Sequence, residues 1–364
     1  MNIIITKGDS CTDHVRVKKF IKYFDEKEFN ITFFCWLRER EKANQYTRET
    51  FIFKGGGYAN NKLLFLYPIW IIKLFCKLLF NVKNSNKNVI FTIDFDSAIA
   101  VYFFTFLKPK VKYIYDVHDD FSLRYSFPKI IKKVIEWFDR KVKERAFKVI
   151  HVDDNRVRMG DNNYEIIYNS QDDYYEDKPI ELMTEIEREF AFTGLIGYTR
   201  GVASVYEFAK KNKDVTFIVA GKVIDHEGEK FIRLPNVEFL GYISQEKLFK
   251  RIKNCLGIFS LYDTSNKINI LAASNKLYDS IMLGVPVIVN KGIEAEKFVK
   301  KYNVGSIVSF DYNETWSRLL SVNTSEYNQI RMHGREIYIN EYSFKKNITD
   351  KMNKIVEELY NYEK

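Results

Sequence analysis

The chain has 364 residues, with 57 Lys and Arg against 48 Asp and Glu, a formal charge of +9. At roughly 100–200 residues per domain this length predicts about two domains, and 46% hydrophobic with 29% charged residues excludes a disordered chain. Residues 1–175 hold 30 basic and 22 acidic side chains, a net of +8, whereas residues 176–364 hold 27 and 26, a net of +1, which predicts different partners for the two halves.

Taken in chain order, strands and helices alternate from end to end. Residues 2–6 read as a first strand with no basic n-region before it, so no signal peptide is expected and a cytoplasmic chain is. A helix is predicted at 15–24 and a strand at 31–37. The segment 62–83 has a longest uncharged run of ten residues, 63–72, against about 20 needed to cross a bilayer, so it reads as a helix that is not transmembrane. Strands follow at 89–93 and 111–117, around a helix at 98–107. A charged loop then leads into a basic helix at 129–146, and short strands at 148–152 and 165–168 end this half. The pattern restarts with a strand at 190–193, a helix at 203–212 and a strand at 215–220. Further strands are predicted at 237–240, 256–260, 285–289 and 305–308, with helices between them. Such alternation predicts parallel sheets covered by helices on both faces. The acidic, polar stretch between Asn169 and Arg188 reads as a linker. The expected fold is therefore α/β: two doubly wound, Rossmann-like domains facing across a cleft, 1–172 and 183–342, with a final helix at about 343–364 packing back on the first. Cys11, Cys35, Cys76 and Cys255 are widely spaced among apolar neighbours, which predicts buried free thiols rather than disulfides or a zinc site.

The most informative stretch is 274–290, S-N-K-L-Y-D-S-I-M-L-G-V-P-V-I-V-N. A helix starting near Ser274 puts Lys276 and Asp279 on one face, and Gly284 and Pro286 end it before a buried strand. A helix N-terminus attracts phosphate through its free N–H groups and dipole; Lys276 adds a cation there, and Asp279, one turn on, is placed to accept from a ribose diol. A plain surface Lys–Asp pair is the alternative.

This run resembles the donor-nucleotide segment of the group 1, family 4-like glycosyltransferases of the GT-B fold. Two more segments resemble the same family in the same order. Phe192–Gly201, F-T-G-L-I-G-Y-T-R-G, is similar to the strand–glycine loop–helix opening of its C-terminal domain, and Tyr113–Phe121, Y-I-Y-D-V-H-D-D-F, to a strand end of its N-terminal domain. The resemblance implies a nucleotide-sugar donor, UDP- or GDP-linked, on the C-terminal domain and a glycan or lipid-linked acceptor on the N-terminal one, in surface-polysaccharide synthesis. It implies that Arg200 and Lys276 neutralise the donor diphosphate beside Ser274 and Asn275, that Asp279 binds ribose, that Gly194 admits phosphate close to the backbone, and that Tyr242 and Ile243 lie at the base. Two cations at a departing pyrophosphate stabilise the leaving group, so the expected hexosyltransferase uses no metal and no cofactor. Asp94-Phe95-Asp96 looks like an Asp-x-Asp metal motif but reads as a polar strand end. Two family positions differ: Leu271 stands where retaining members carry a Glu, and Leu195 where a phosphate-loop Arg is usual. Retention or inversion stays open.

An inverting enzyme needs a base. His118, Asp119 and Asp120 cluster at a strand's carboxyl end, where open parallel sheets bind ligands, and Asp9 follows the first strand on the same edge. The alternative is that these residues merely cap the strand and begin a loop. Gly55-Gly56-Gly57-Tyr58 reads as an acceptor-side loop or a plain connection. The basic helix at 129–148 carries eight Lys and Arg, with one apolar face (Ile131, Val134, Ile135, Phe138) expected to pack. With the lysines of 62–83 it suggests a surface for an anionic membrane, or two solvated helix faces; no nucleic-acid module is present. Two rivals remain: a nucleotide-sugar epimerase of the same fold, and a non-catalytic partner subunit.

Overall fold

The computed structural model describes residues 1–12, 14–39, 48–57, 63–125, 127–157, 161–176, 178–272 and 274–362. The chain divides into two units, Met1–Tyr168 with Ile348–Lys364, and Asn169–Asn347. The first is built on β1 (Asn2–Lys7), α1 (Val15–Glu26), β2 (Asn30–Leu37), β3 (Thr50–Lys54), α2 (Leu63–Asn81), β4 (Asn88–Ile93), α3 (Phe95–Leu107), β5 (Lys112–Val117), α4 (Phe121–Arg124), α5 (Lys129–Arg145), β6 (Lys148–His151) and β7 (Tyr164–Ile166). Its sheet is all parallel, in the order β3-β2-β1-β4-β5-β6-β7. The central strands are apolar on both sides, as a sheet covered on both faces requires. Strand order reverses at β1, so right-handed crossovers put α1 on one face and α2, α3 and α5 together on the other. That reversal is also where such sheets open a ligand crevice beyond their carboxyl ends.

The second unit runs β8 (Glu189–Ile196), α6 (Val202–Lys211), β9 (Thr216–Val223), α7 (His226–Phe231), β10 (Val237–Gly241), α8 (Gln245–Ile252), β11 (Gly257–Ser260), α9 (Lys267–Ile270), α10 (Asn275–Leu283), β12 (Val287–Asn290), α11 (Glu294–Tyr302), β13 (Gly305–Val308) and α12 (Thr324–Ile337). Its parallel sheet is ordered β10-β9-β8-β11-β12-β13, with the reversal at β8. Phe190, Phe192, Phe208, Phe217, Phe259 and Trp316 fill an aromatic core on one side of it. Beyond it α13 (Asp350–Tyr362) returns to the first unit. There Met352, Ile355, Val356 and Leu359 are buried, Tyr23 Oη donates to Asn353 at 2.9 Å, and Lys148 pairs with Glu358 at 2.7 Å.

Four differences from the sequence reading have physical causes. Strand β3 escapes notice because its five residues, T-F-I-F-K, are too few to show alternation. Gly55–Gly57 follow it with left-handed φ angles of 98°, 110° and 65°; Tyr58 lies outside the described residues. The stretch read as a linker belongs to the second unit: Asp173 forms a bidentate pair with Arg335 at 2.6 and 2.7 Å, and Tyr338 Oη donates to the Gln171 carbonyl. Cys11, Cys35 and Cys255 are buried free thiols, but Cys76 is exposed, because it sits on the outer stripe of α2. The apolar face expected to pack on α5 is only partly covered: Ile135 and Phe138 reach the core, while Ile131 and Val134 stay half exposed. Among the described residues one helix, over Leu64–Asn81, is long and apolar enough to cross a membrane by length and composition. Its Trp70, Leu74 and Leu78 are fully buried against the sheet of the first unit.

Candidate active site

In the first unit, the carboxyl ends of β1, β2, β4 and β5 surround a cavity of about 280 Å³ lined by Lys7, Gly8, Asp9, His14, Arg38, Tyr67, Asp94, Asp96, His118, Asp119 and Tyr125. Its acids and bases are paired with one another. His118 Nε2 lies 2.7 Å from Asp116 Oδ2, two residues back on the same side of β5. Asp116 is fully buried, and Arg16 from α1 donates to both of its oxygens at 2.7–3.2 Å and to the Ile167 carbonyl at 2.6 Å. Burial works against the charged carboxylate. The Arg16 guanidinium and the His118 ring more than offset it and hold Asp116 well below the usual carboxylate range. An imidazole fixed this way, by a carboxylate that stays ionised, is the arrangement of a general base with its orienting partner.

Around that pair the cavity is tightly cross-linked. Lys7 and Asp94 pair at 3.6 Å, and Asp94 Oδ1 accepts from the His118 N–H at 3.3 Å. Asp94 has φ 60° and ψ 159°, a region nearly closed to residues with a side chain and costing about 1–3 kcal/mol. Its N–H, which donates to the Asp116 carbonyl at 3.1 Å, helps keep it there. Gly8 leaves room for Asp96, since a Cβ at residue 8 would stand 1.8 Å from Asp96 Oδ2. Arg38 donates from Nε to the Gly8 carbonyl at 2.8 Å and lies 4.0 Å above the Trp36 ring. Glu49 closes the loop after β1 by accepting from Ser10 Oγ, the Thr12 N–H and Thr12 Oγ1. His14 stacks 4.8 Å from His118. Burial, then the Lys7 ammonium and His118, push its imidazole well below its ordinary range, and its Nδ1 has no hydrogen-bond partner among the described residues.

Of the four base candidates, the cavity gathers His118, Asp119 and Asp9, whose Oδ1 accepts from the Ser10 N–H at 2.8 Å. Asp119 pairs with Arg156 at 3.2 Å. Asp120 is drawn away from the cavity: it caps α4, accepting from the N–H and Oγ of Ser122 at 3.0 and 2.7 Å. The residue that orients His118 is Asp116, which sequence reasoning missed in favour of the neighbouring acids. The period-2 spacing of Asp116 and His118 on a strand was the signal that could have found it. Lys7, Arg38 and His14 carry no local signal at all. Asp94 and Asp96 are a strand end and a first helical turn. Among the described residues no group of three or more His, Cys, Asp or Glu is arranged to hold a metal ion.

The second unit gathers a different set. Gly194 lies within β8, not in the loop after it, because it pairs in register with Gly221 of β9 at φ 95°. A Cβ on Gly221 would strike the Gly194 carbonyl at 1.9 Å, so the two strands meet this closely only through glycine. The Lys276 ammonium, from the first turn of α10, reaches to 3.6 Å from where a Cβ on Gly194 would stand. Tyr262, after β11, carries the Arg200 guanidinium 4.4 Å from its ring centroid and the Lys276 ammonium at 5.9 Å. Arg200 also donates to Asn269 Oδ1 at 3.0 Å. Burial alone would push the Tyr262 phenol up, but Lys276, a Ser274 hydrogen bond and Arg200 lower it. Neither Arg200 nor Lys276 has a carboxylate partner among the described residues. Gly194, Arg200, Lys276 and the N-terminus of α10 thus form one cationic cluster around Tyr262.

The remaining donor candidates take other positions. Ser274 is buried, with its hydroxyl 2.8 Å from that of Ser260, while Asn275 is exposed on the first turn of α10. Asp279 is half-buried one turn further. Gly241 ends β10 at φ 64°, and Tyr242 beyond it is 93% exposed with Ile243 half-buried, at the sheet's far edge from α10. Leu271 caps α9, and Leu195 is half exposed in β8.

Residues 198–351 match the family model for the glucosyltransferase 3-like C-terminal domain, a span almost wholly within the second unit. Among solved structures, sucrose-phosphate synthase from Thermosynechococcus elongatus is similar at 12% identity and a TM-score of 0.73, covering all of both chains. Anabaena HepE in complex with UDP is similar at 12% identity and a TM-score of 0.69, covering 98% of this chain and 100% of that one. S. aureus TarM, in a mutant form with fondaparinux, α-GlcNAc-glycerol and UDP, is similar at 12% identity and a TM-score of 0.62, with 98% and 100% covered. No curated protein matches the chain in sequence. Two parallel α/β units of this kind place the chain in the GT-B fold class of these structures. Within that class, its C-terminal unit resembles that of glucosyltransferase 3.

Proposed function

We propose that the enzyme transfers a hexosyl group from a nucleoside-diphosphate sugar to a hydroxyl of a glycan or lipid-linked glycan, without a metal, in the cytoplasm and for surface-polysaccharide synthesis. The observation that carries this reading is the pairing of Lys276 and Arg200, two cations without carboxylate partners among the described residues, beside Gly194 and the N-terminus of α10. A diphosphate supplies the charge they lack. In the reaction the bond between the sugar C1 and the β-phosphate oxygen breaks and the acceptor oxygen bonds to C1. Lys276 and Arg200 stabilise the charge that develops on the departing diphosphate. His118, oriented by Asp116, takes the acceptor hydroxyl proton. Asp279 binds the ribose, and Tyr242 with Ile243 meets the base. The UDP in the HepE and TarM structures supports a uridine donor over a guanosine one, and the glucose recorded with HepE supports a glucosyl group.

Calorimetric titration with UDP and GDP, followed by turnover of a panel of UDP-sugars, tests the proposal. UDP binding with release of UDP from UDP-glucose is expected. Failure to bind either nucleotide overturns the reading, and an epimerised donor sugar would assign the pocket to an isomerase.

A further inference from the structure

A helix in the outer layer of a doubly wound unit ordinarily buries one stripe and shows charged residues to water. The layer formed by α2, α3 and α5 departs from this. On α2 the stripe opposite the buried Trp70, Leu74 and Leu78 is Phe65, Ile72 and Phe80, which are 79%, 62% and 83% exposed. Phe106 on α3 and Ile130 and Trp137 on α5 extend it across the layer. The helices are tied together there: Arg145 of α5 lies 3.9 Å over the Phe106 ring and donates to Thr105 Oγ1 at 2.9 Å. An exposed apolar surface shared by three helices marks an interaction face.

Charge identifies the partner. From Leu63 to Lys112 the sequence holds seven lysines and two acids, Asp94 and Asp96, and both acids are buried. Helices that cross over a parallel sheet run the same way, so α2 and α3 end on one side, and Lys83, Lys87 and Lys110 are exposed just beyond those ends. Lys73 and Lys77 bend off the stripe instead, their ammonium groups 4.9 and 5.7 Å from the Phe53 and Phe34 rings, leaving the face apolar. An apolar face bordered by lysines, with the α5 carboxylates paired to lysines of the same helix (Glu144 to Lys141 at 2.7 Å, Glu136 to Lys132 at 4.0 Å), is complementary to acyl chains beneath anionic headgroups.

We propose that this face of the first unit docks on an anionic phospholipid bilayer, the inner face of the cell membrane, by inserting the α2 stripe with Phe106, Ile130 and Trp137. The docking does not depend on the donor chemistry. It would bring the enzyme to a lipid-linked acceptor.

The test is flotation of the full chain with vesicles of phosphatidylglycerol and phosphatidylcholine in equal parts, and with phosphatidylcholine alone. Trp137 is an internal reporter, because Trp36, Trp70 and Trp316 are fully buried. The protein should float with the anionic vesicles, less so at high salt, and its fluorescence should shift to the blue, a shift lost in Trp137→Phe. Phe65→Ser, Ile72→Ser and Phe80→Ser together should cut partitioning at least about tenfold, with circular dichroism and UDP binding unchanged. Each of Lys83→Gln, Lys87→Gln and Lys110→Gln should cut it about fivefold. Absence of flotation, or flotation unaltered in the triple variant, overturns the proposal. Self-association abolished by the same variant, with no flotation, would assign the face to a second copy and overturns it too. UDP binding without flotation rejects the docking alone; flotation without nucleotide binding rejects the donor reading alone.

Discussion

The two units use the same parallel-sheet layout to hold charge in opposite ways. In the first, ion pairs surround the cavity, Arg16 with Asp116, Lys7 with Asp94 and Arg156 with Asp119, while Arg38 is held by the Gly8 carbonyl and the Trp36 ring. In the second, Arg200 and Lys276 converge on Tyr262 with no carboxylate among the described residues to neutralise them. The difference fits two tasks. On the function proposed above, the first arrangement orients a base through fixed ion pairs, whereas the second leaves the answering charge to a diphosphate ligand.

Breaking the first arrangement should cost most. His118→Ala should lower turnover by about 10²–10⁴-fold, the usual worth of a general base, with UDP affinity unchanged; steady-state kinetics with calorimetry separates the two. Asp120→Ala, which removes the α4 cap outside the cavity, should leave turnover within a few-fold and so sharpens the contrast. Asp116→Ala strands the buried Arg16 and should destabilise the chain by about 3–5 kcal/mol in urea denaturation, in addition to lowering turnover. In the second unit, removing Lys276 strands no carboxylate among the described residues. Lys276→Ala should therefore weaken UDP binding by about 1.5–3 kcal/mol at unchanged stability. A loss of stability of the same size as the loss in binding would erase the distinction between the units.

The smallest effect concerns pH. His14 has its folded-state pKa held below its unfolded value, by burial, Lys7 and His118, with Asp94 and Asp116 opposing. As pH falls below about 6.5 the unfolded chain takes up this proton and the folded chain does not, so stability present at neutral pH is lost on acidification, by at most about 1.4 kcal/mol per pH unit. Melting temperatures measured from neutral pH downward should fall, and His14→Gln should flatten the slope. Asp116, depressed in the folded state, adds no slope there; its contribution is lost only below the ordinary carboxylate range.

What could be read in advance follows the range of the interactions. Lys276, Asp279 and Gly284 lie within one helix and its stop, so 274–290 shows its chemistry locally. The strands and the charge asymmetry are likewise local or additive. The cavity of the first unit is not: Lys7, Arg38, Asp94 and His118 meet only because four strand ends align. Asp120 lies two residues from His118 in sequence, yet the strand's alternation gives the partnership to Asp116. The uncovered stripes on α2 and α5 were invisible for a related reason. Periodicity shows that an apolar face exists, and the sheet order decides whether anything covers it.

The return of α13 to the first unit makes that unit discontinuous, with residues 169–347 inserted into it. During synthesis α1 is complete long before the helix that covers Tyr23 exists. Until Met352, Ile355 and Leu359 leave the ribosome, the first unit has an open apolar seam while the inserted unit has all of its own chain and can close first. Helix α13 acts as a latch, so the unit carrying the cavity is finished only on chains translated through it.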